Sequence, residues 1–460
     1  MAENASEDTP HTFEVVSTPA ALEPAAADGE AGACCEAAGS DATVHLTPLW
    51  AIKFVYFIAT GSSACLWKFM TVFYHKLGMS NSQIGFIQLL SPNVSFVAQL
   101  FWAALSDRLG SFKEVLATSN MFAICTICCL LFPVVQRHFW LLCIVVLAAS
   151  FGAASRGSIN DSMSLQVVKD YKEAQEAALR RGEPPLRRLP SYGEQRLWGA
   201  GGWGAASLLG GMLMDVFGTS FMFASYAVLL SITVGVIVFQ YPSRGARRAS
   251  RSAVPFTTVL SSCDVVWFLV NLFVYGLCTS LVETFLFVFL LRDFEGTSQF
   301  LLGSTIAVMS AFEIPVFFYV ERLFARIDLT RLLSVCHFVL ALRCLAYSVL
   351  PRQCPALVLV IEPLHGITFA MMWCSSVEYG KRLALPGAEA KMQALLNGFY
   401  YQLAQGWGSF FWGHMTEAPP KGIGFTAAYQ CLAAFLVIWS LVWNFGLLIL
   451  KHRRLAREAR

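Results

Sequence analysis

The stretch at residues 358–381, VLVIEPLHGITFAMMWCSSVEYGK, is decisive for the fold class. It is long and apolar enough to cross a bilayer, yet it carries Glu362 and His365 well inside it. Because these two residues are three apart, a helix places them on one face. A carboxylate in the middle of hydrocarbon costs roughly 2.5–3.5 kcal/mol even on a lenient insertion scale, so it is expected to have a partner or a watery cavity. The stretch therefore predicts either a polar bond between helices or a substrate or proton site in the core of a carrier.

The whole chain has the composition of a helical membrane protein. Of its 460 residues, 56% are hydrophobic and 14% are charged, whereas a soluble chain carries about 25% charged residues. Apolar segments long enough to span a bilayer recur from residue 47 onward, and we assign twelve of them. We expect an all-α membrane protein with twelve transmembrane helices in two six-helix bundles, in the plasma membrane or an endomembrane.

Polar stretches divide the chain. Residues 1–46 hold nine acidic residues and neither Lys nor Arg, a composition that cannot bury a core, so we expect a disordered acidic tail. Residues 242–261 form a basic linker between an amino-terminal bundle at 47–241 and a carboxy-terminal bundle at 262–450. A basic tail follows at 451–460.

The positions of Lys and Arg predict the orientation in the membrane. With the amino terminus in the cytosol, the inner loops and tails hold 24 of the 33 basic residues and the outer loops hold 5. Since loops rich in Lys and Arg stay in the cytosol, we expect both termini, and with them the acidic tail, the linker and the basic tail, to be cytosolic.

Two inner loops occupy matching places in the two halves. LSDRLGSFK contains Asp107, Arg108 and Gly110, and VERLFAR contains Glu321 and Arg322. An acid and a base on an inner loop, with a tight turn in the first copy, suit a charge clamp that pairs with neighbouring helix ends, and the two copies favour an internal repeat. The alternative is ordinary charge beside the membrane.

Several ionisable residues lie inside the predicted spans, where charge is expensive and usually functional. At about 1.5 Å of rise per residue, Glu313, Arg343 and His365 fall near the midplane on three consecutive spans. Together with Glu362 they can neutralise one another. The other members of this set are Lys53, Lys68, Arg156, Asp161 and Glu283.

The fifth span opens with SYGEQRLWGAGGWGAASLLGG at residue 191. Arg196 and Trp203 are two turns apart and share a face. An indole in a cavity stacks on a ring, and a guanidinium binds hydroxyls or carboxylates in a fixed geometry. The alternative is an Arg at the cytosolic end of the span and a Trp that only packs.

The twelve spans with LSDRLGSFK resemble the major facilitator superfamily. YGEQRLWGAGGW, with the Glu of FEIP, the Arg of ALRC and the His of PLHG, is similar to the galactoside-proton symporter family. FEIPVF and LHGITFAMMW also look like the major facilitator domain-containing protein six family. The resemblance covers about residues 47–450.

The resemblance to the symporters implies roles for single residues. Asp161 and Arg196 would hold a sugar on which Trp203 stacks, with Glu313 and His365 as further substrate contacts. Arg343 would assist proton release, and His365 would take part in proton coupling. The symporters have a proton-carrying Glu one turn after the His, where this chain has Thr368, so Glu362, one turn before the His, is the candidate for that role.

We therefore expect a monomeric transporter that moves a small polar solute, sugar- or nucleoside-like, by alternating access coupled to protons. The alternatives are an uncoupled facilitator of the same fold, which Thr368 favours, and a non-transporting membrane receptor or scaffold that uses the acidic tail for partners. The sequence has no nucleophile beside a base, no metal-ligand cluster and no Gly-rich phosphate loop. We predict neither enzymatic activity nor a cofactor, metal or nucleic-acid partner.

Overall fold

The computed structural model describes residues 46–182, 184, 189–241, 255–386 and 388–458. Regular structure in this part of the chain is helical, without strands. The α-helices are Leu49–Trp67 (α1), Met70–Lys76 (α2), Asn81–Leu109 (α3), Phe112–Cys129 (α4), Pro133–Arg137 (α5), Phe139–Ala153 (α6), Ser155–Arg180 (α7), Tyr192–Phe217 (α8), Phe221–Gln240 (α9), Phe256–Val259 (α10), Cys263–Asp293 (α11), Gln299–Phe324 (α12), Leu329–Ser348 (α13), Val358–Ile361 (α14), Met372–Leu383 (α15), Glu389–Asn397 (α16), Gln405–Met415 (α17) and Gly424–Glu458 (α18). The predicted acidic tail up to residue 45, the linker residues 242–254 and the last two residues lie outside the described part.

Ten helices in the described part are long and apolar enough to cross a membrane. They are α1 with α2, α3, α4, α6 with α7, α9, α11, α12, α13, the stretch Pro355–Leu383, and α18. Two further long helical stretches, α8 and Glu389–Met415, are not among the ten, since Gly and Gln residues and, in α8, Glu194 and Arg196 dilute their apolar character. The prediction of an all-α, multi-pass membrane protein is confirmed, and the count of twelve spans stays a prediction.

Large apolar side chains are exposed over much of the helical surface. Phe239 is 84% exposed, Val360 74% and Trp140 68%. A soluble monomer rarely exposes contiguous apolar surface of this kind, whereas lipid-facing helices require it.

Carboxylates join the two halves of the chain at the end where α3 begins and α8 ends. Asp215 in α8 accepts hydrogen bonds from the backbone N–H groups of Gln299 and Phe300, at 2.7 and 2.8 Å, at the start of α12. Glu417, just after α17, accepts hydrogen bonds from the backbone N–H and the hydroxyl of Ser82 at the start of α3, both at 2.9 Å. Because helix amino termini carry unpaired N–H groups and a positive dipole end, each carboxylate stabilises the contact between the halves.

Glycines let the same helices approach closely at this end. A Cβ atom on Gly303 of α12 would collide with the Ser207 carbonyl of α8, and one on Gly413 of α17 would collide with the Asn81 carbonyl of α3. Small residues permit such backbone contact between membrane helices. The two halves are therefore tightly closed at this end.

The stretch at 358–381 is irregular at its centre. After α14 it forms a 3₁₀ turn at Glu362–Leu364 and a π-helical segment at Gly366–Met371, before α15 begins. Pro363 has no N–H group and cannot continue the α-helical ladder. A second π-helical segment, Gly398–Ala404, separates α16 from α17. Such segments occur frequently at functional sites, and both of these border the cavity described next.

Candidate functional site

A cavity with two lobes lies between the helices of the two halves. One lobe, here called the network lobe, has a volume of about 580 Å³ and is lined in part by Lys68, Glu283 and His365. The other, the arginine lobe, has a volume of about 820 Å³. Each volume is within the usual range for small-molecule sites. The lobes share the lining residues Trp67, Ala200, Trp203, Glu313, Phe369 and Tyr401.

Arg343 of α13 is the centre of a buried set of hydrogen bonds beside the network lobe. Its Nη2 atom donates to Glu362 Oε2 at 2.6 Å and its Nε atom to the Tyr347 hydroxyl at 2.9 Å. Tyr347 in turn donates to Glu362 Oε1 at 2.7 Å. Arg343 Nη1 contacts His365 Nδ1 at 3.0 Å and Thr368 Oγ1 at 3.2 Å. Arg343 is 2% exposed and Glu362 is 0% exposed, so this ion pair is sealed from the cavity.

The two ring nitrogens of His365 contact different partners. A guanidinium only donates hydrogen bonds, so Nδ1 is the acceptor in the contact with Arg343, and Nε2 is the ring nitrogen left to donate. Nε2 lies 2.8 Å from Glu313 Oε1 and donates to it. Nδ1 is also 3.8 Å from Glu283 Oε1. A second proton on Nδ1 would oppose the Arg343 N–H group, so protonation would favour a move of the ring from Arg343 toward Glu283.

Glu283 of α11 forms an ion pair with a residue from the other half of the chain. Lys68, between α1 and α2, donates from Nζ to Glu283 Oε2 at 2.5 Å. The sequence identifies both residues as ionisable groups inside spans, but not as partners, because they are 215 positions apart. This ion pair connects the two halves at the cavity wall.

These groups form one network with unequal numbers of charges. Its members are Lys68, Glu283, Glu313, Arg343, Glu362 and His365. Three carboxylates face two permanent cations, which is a formal charge of minus one when the carboxylates are counted as ionised and the imidazole as neutral. Uncompensated charge in a poorly solvated site is costly. One added proton makes the network neutral.

The arginine lobe brings together the polar residues of α7 and α8. The Tyr56 hydroxyl donates to Asp161 Oδ1 at 2.8 Å. Arg196 lies within electrostatic range of Asp161, and Tyr192 lies beside both of them. Trp203, two turns after Arg196, borders both lobes. All the residues predicted to contact substrate therefore line one connected cavity, whereas Glu362 and Arg343 lie behind its wall.

The described residues of the predicted charge clamp are Arg108, Gly110, Glu321 and Arg322. Gly110 ends α3 with φ at +64°, in the left-handed region that suits glycine. Arg108, Glu321 and Arg322 are exposed. Among the described residues, none of these three forms an ion pair within 4.0 Å, and the side chain of Asp107 is outside the description. The clamp stays a prediction.

Comparison with known proteins identifies the family of this chain. A model described as the MFS_1 like family matches residues 49–426. The chain is 24% identical over 417 residues to maltose permease of Geobacillus stearothermophilus, which covers 88% of this chain and 95% of the permease. It is 26% identical over 173 residues to major facilitator superfamily domain-containing protein 6-like protein A of Xenopus laevis, covering 38% of this chain and 27% of that protein.

Solved structures show the same fold. The crystal structure of the nucleoside transporter NupG superimposes with a TM-score of 0.69 at 14% identity, over 87% of this chain and 98% of NupG. With the family model spanning most of the helical part, the chain belongs to the MFS_1 like family of the major facilitator superfamily.

Proposed function

We propose that this protein is a proton-coupled transporter that moves a small polar solute by alternating access. The observation that carries the proposal is the network of unequal charge at the wall of the two-lobed cavity. A scaffold has no need of two half-buried carboxylates around an imidazole with a buried Arg–Glu pair beside them, since charge inside a membrane is expensive. A transporter uses the same groups to exchange a proton and to contact the solute.

We also propose a complete topology of twelve spans with both termini in the cytosol. The helix α8 packs between α1 and α12, and Glu389–Met415 packs against α3 and α11, which is where glycine-rich spans belong in a bundle. In this orientation, the end held by Asp215 and Glu417 faces outward. The cavity is then in an inward-facing state. Tags on both termini should accordingly be accessible only from the cytosolic side.

Gly303→Val should open the outer end of the cavity. The added side chain would collide with the Ser207 carbonyl and force α8 and α12 apart. With Met309→Cys as a reporter on the wall of the network lobe, labelling of sealed vesicles by an impermeant maleimide from the outer side should become faster. Gly235→Val is the matched control, because a Cβ there meets nothing within 4 Å. Unchanged labelling in the folded Gly303→Val protein would contradict the proposal that the contact between α8 and α12 closes the outer end of the cavity.

The proton site is best assigned to His365 and Glu313. Glu362, the sequence-based candidate, is 0% exposed and has both oxygens bonded to Arg343 and Tyr347. Glu313 borders both lobes, and its Oε1 atom accepts a hydrogen bond from Nε2 of His365. We propose that Glu362 holds Arg343 in place, and that a proton on the His365–Glu313 unit releases Arg343 Nη1. This change couples the proton to the cavity wall that the solute touches.

Transport assays test the function directly. The purified protein in proteoliposomes would be offered labelled maltose, glucose, uridine and adenosine, because one relative is named as a maltose permease and one structural neighbour as a nucleoside transporter. We expect uptake of at least one class of solute, stimulated by an imposed pH gradient and lost with a protonophore. Uptake that ignores the gradient would favour the uncoupled facilitator. Absence of uptake for these classes, and also for labelled lactate and glucuronate, would favour the receptor or scaffold.

Replacement of Trp203 should separate ring stacking from packing. Trp203→Tyr keeps a flat aromatic face between the lobes, whereas Trp203→Ala removes it. We expect Trp203→Ala to weaken the binding of the transported solute by roughly 1–3 kcal/mol and Trp203→Tyr to lose less than half of that. Equal affinities for the two variants, measured by equilibrium binding to folded protein, would mean that Trp203 only packs.

A further inference from the structure

Arg156, near the start of α7, is a buried guanidinium whose bonded partners are all neutral. It is 7% exposed. Its Nε atom donates to Asn120 Oδ1 at 3.2 Å, its Nη1 atom to Ser63 Oγ at 2.5 Å, and its Nη2 atom to the Tyr226 hydroxyl at 2.7 Å. In the described part of the chain, no carboxylate lies within the 4.0 Å of an ion pair with Arg156.

This arrangement differs from that of two other cations beside the cavity, Arg343 and Lys68. Arg343 has Glu362 and Lys68 has Glu283 as an ion-pair partner. A buried cation without such a partner is costly, because neutral hydrogen bonds do not replace the solvation of a full charge. An anionic ligand that supplied the missing charge would offset this cost.

The surroundings of Arg156 have surplus donors. Three of the five guanidinium N–H groups are used in the bonds above, so two remain available. Beside it, Asn120 Nδ2 is buried and has no hydrogen-bond partner in the described structure. The donors of Arg156 and Asn120, here called the Arg156 subsite, therefore lack a hydrogen-bond acceptor.

The subsite opens onto the arginine lobe. Arg156, Ser63 and Gly157 all line that lobe, and a Cβ added at Gly157, the next residue of α7, would meet no atom within 4 Å. Arg196 lines the same lobe. Two cations thus share the lobe with Asp161 and with Glu313, which is already bonded to His365.

We propose that Arg156 is an anion-binding residue of the cavity and that the transported solute is acidic, with an anionic oxygen group such as a carboxylate. The proposal rests on the transport function above and narrows its solute from a neutral sugar or nucleoside to an acid of similar size. The anionic group would accept hydrogen bonds from the two remaining N–H groups of Arg156, while the rest of the solute extends toward Trp203.

Matched acids and esters test the proposal at equilibrium. The purified protein in detergent, without any gradient, would be titrated with lactate, glucuronate and N-acetylphenylalanine, each beside its uncharged methyl ester, and with glucose 6-phosphate beside glucose. We expect at least one acid to bind roughly ten- to a hundredfold more tightly than its neutral counterpart, as charge-assisted hydrogen bonds allow. The pair that shows the preference distinguishes carboxylate from phosphate. Equal affinities within every pair would overturn the proposal.

The variants Arg156→Gln and Arg156→Lys connect any preference to this residue. In Arg156→Gln, the affinities for an acid and its neutral counterpart should become equal. In Arg156→Lys, part of the preference for the acid should remain. A preference that survives in Arg156→Gln would also overturn the proposal. Because these titrations need no transport, they are independent of whether uptake responds to protons.

The melting temperature of the ligand-free protein distinguishes a binding residue from a structural one. Removing an uncompensated charge should leave the melting temperature of Arg156→Gln unchanged or raise it. Arg343→Gln, which breaks a buried ion pair, should lower it and is the control. A decrease in Arg156→Gln as large as that in Arg343→Gln, or failure of Arg156→Gln to fold, would show that Arg156 is structural.

Discussion

Arg343→Met should destabilise the folded protein by about 3–5 kcal/mol, because it leaves Glu362 as an unpaired charge at 0% exposure. Glu362→Gln should cost a similar amount for the complementary reason, since it strands the guanidinium. The decrease is measured as the change in unfolding free energy, or in melting temperature, of the purified protein in detergent.

The double variant with Arg343→Met and Glu362→Met gives this experiment its sharpest outcome. Removing both charges leaves no buried ion without a partner, so the double variant should be more stable than either single charge-deleting variant. The exposed pair Arg382–Glu378, with a distance of 2.9 Å, is the control. Its disruption by Arg382→Met should change stability by less than about 1 kcal/mol. If the buried and exposed pairs behave alike, the Arg343–Glu362 pair does not hold the network together.

Glu313→Gln should abolish uphill accumulation of solute and leave exchange intact. Glutamine is nearly isosteric and permanently neutral, so it mimics the protonated carboxylate and cannot release a proton. For one proton per solute, one unit of pH supports an accumulation of about tenfold. We expect the parent protein to approach this tenfold ratio of internal to external solute. In Glu313→Gln, the internal concentration should only reach the external one. The measurement compares accumulation and counterflow exchange in the same proteoliposomes.

Glu362→Gln is the matched comparison for Glu313→Gln. If Glu362 only holds Arg343, the fraction of Glu362→Gln protein that folds should still accumulate solute. The opposite pattern, with coupling lost in well-folded Glu362→Gln and kept in Glu313→Gln, would return the proton role to Glu362. Loss of both exchange and accumulation in Glu313→Gln would indicate that Glu313 binds the solute without carrying the proton.

The fold class was accessible from the sequence because its signal is local. Apolar runs as long as a bilayer is thick predict spanning helices wherever they occur, and α11 or α18 could be recognised without any partner. The level of a residue along the membrane normal is also local, since it follows from the rise per residue. Counting along the spans therefore placed Glu313, Arg343 and His365 at one depth, and in the structure they are in one network.

The network's partners depend on the tertiary structure. Depth along a helix says nothing of the direction in which a side chain points, and the irregular turns at Glu362–Leu364 and Gly366–Met371 change that direction inside the decisive stretch. Which helices lie side by side is equally invisible along the chain. The sequence therefore identified Lys68 and Glu283 as ionisable residues without revealing that they pair across the two halves.

Taken alone, the sequence determined an all-helical membrane protein, the family to which it belongs and the presence of polar residues inside its apolar segments. The tertiary structure decided which of those residues are sealed and which face the cavity. It paired Arg343 with Glu362 behind the wall, bonded Glu313 to His365 on the cavity side, and left Arg156 among neutral partners. The physical reason is that the cost of a charge depends on its neighbours and its exposure, and both are set by helix packing rather than by position in the chain.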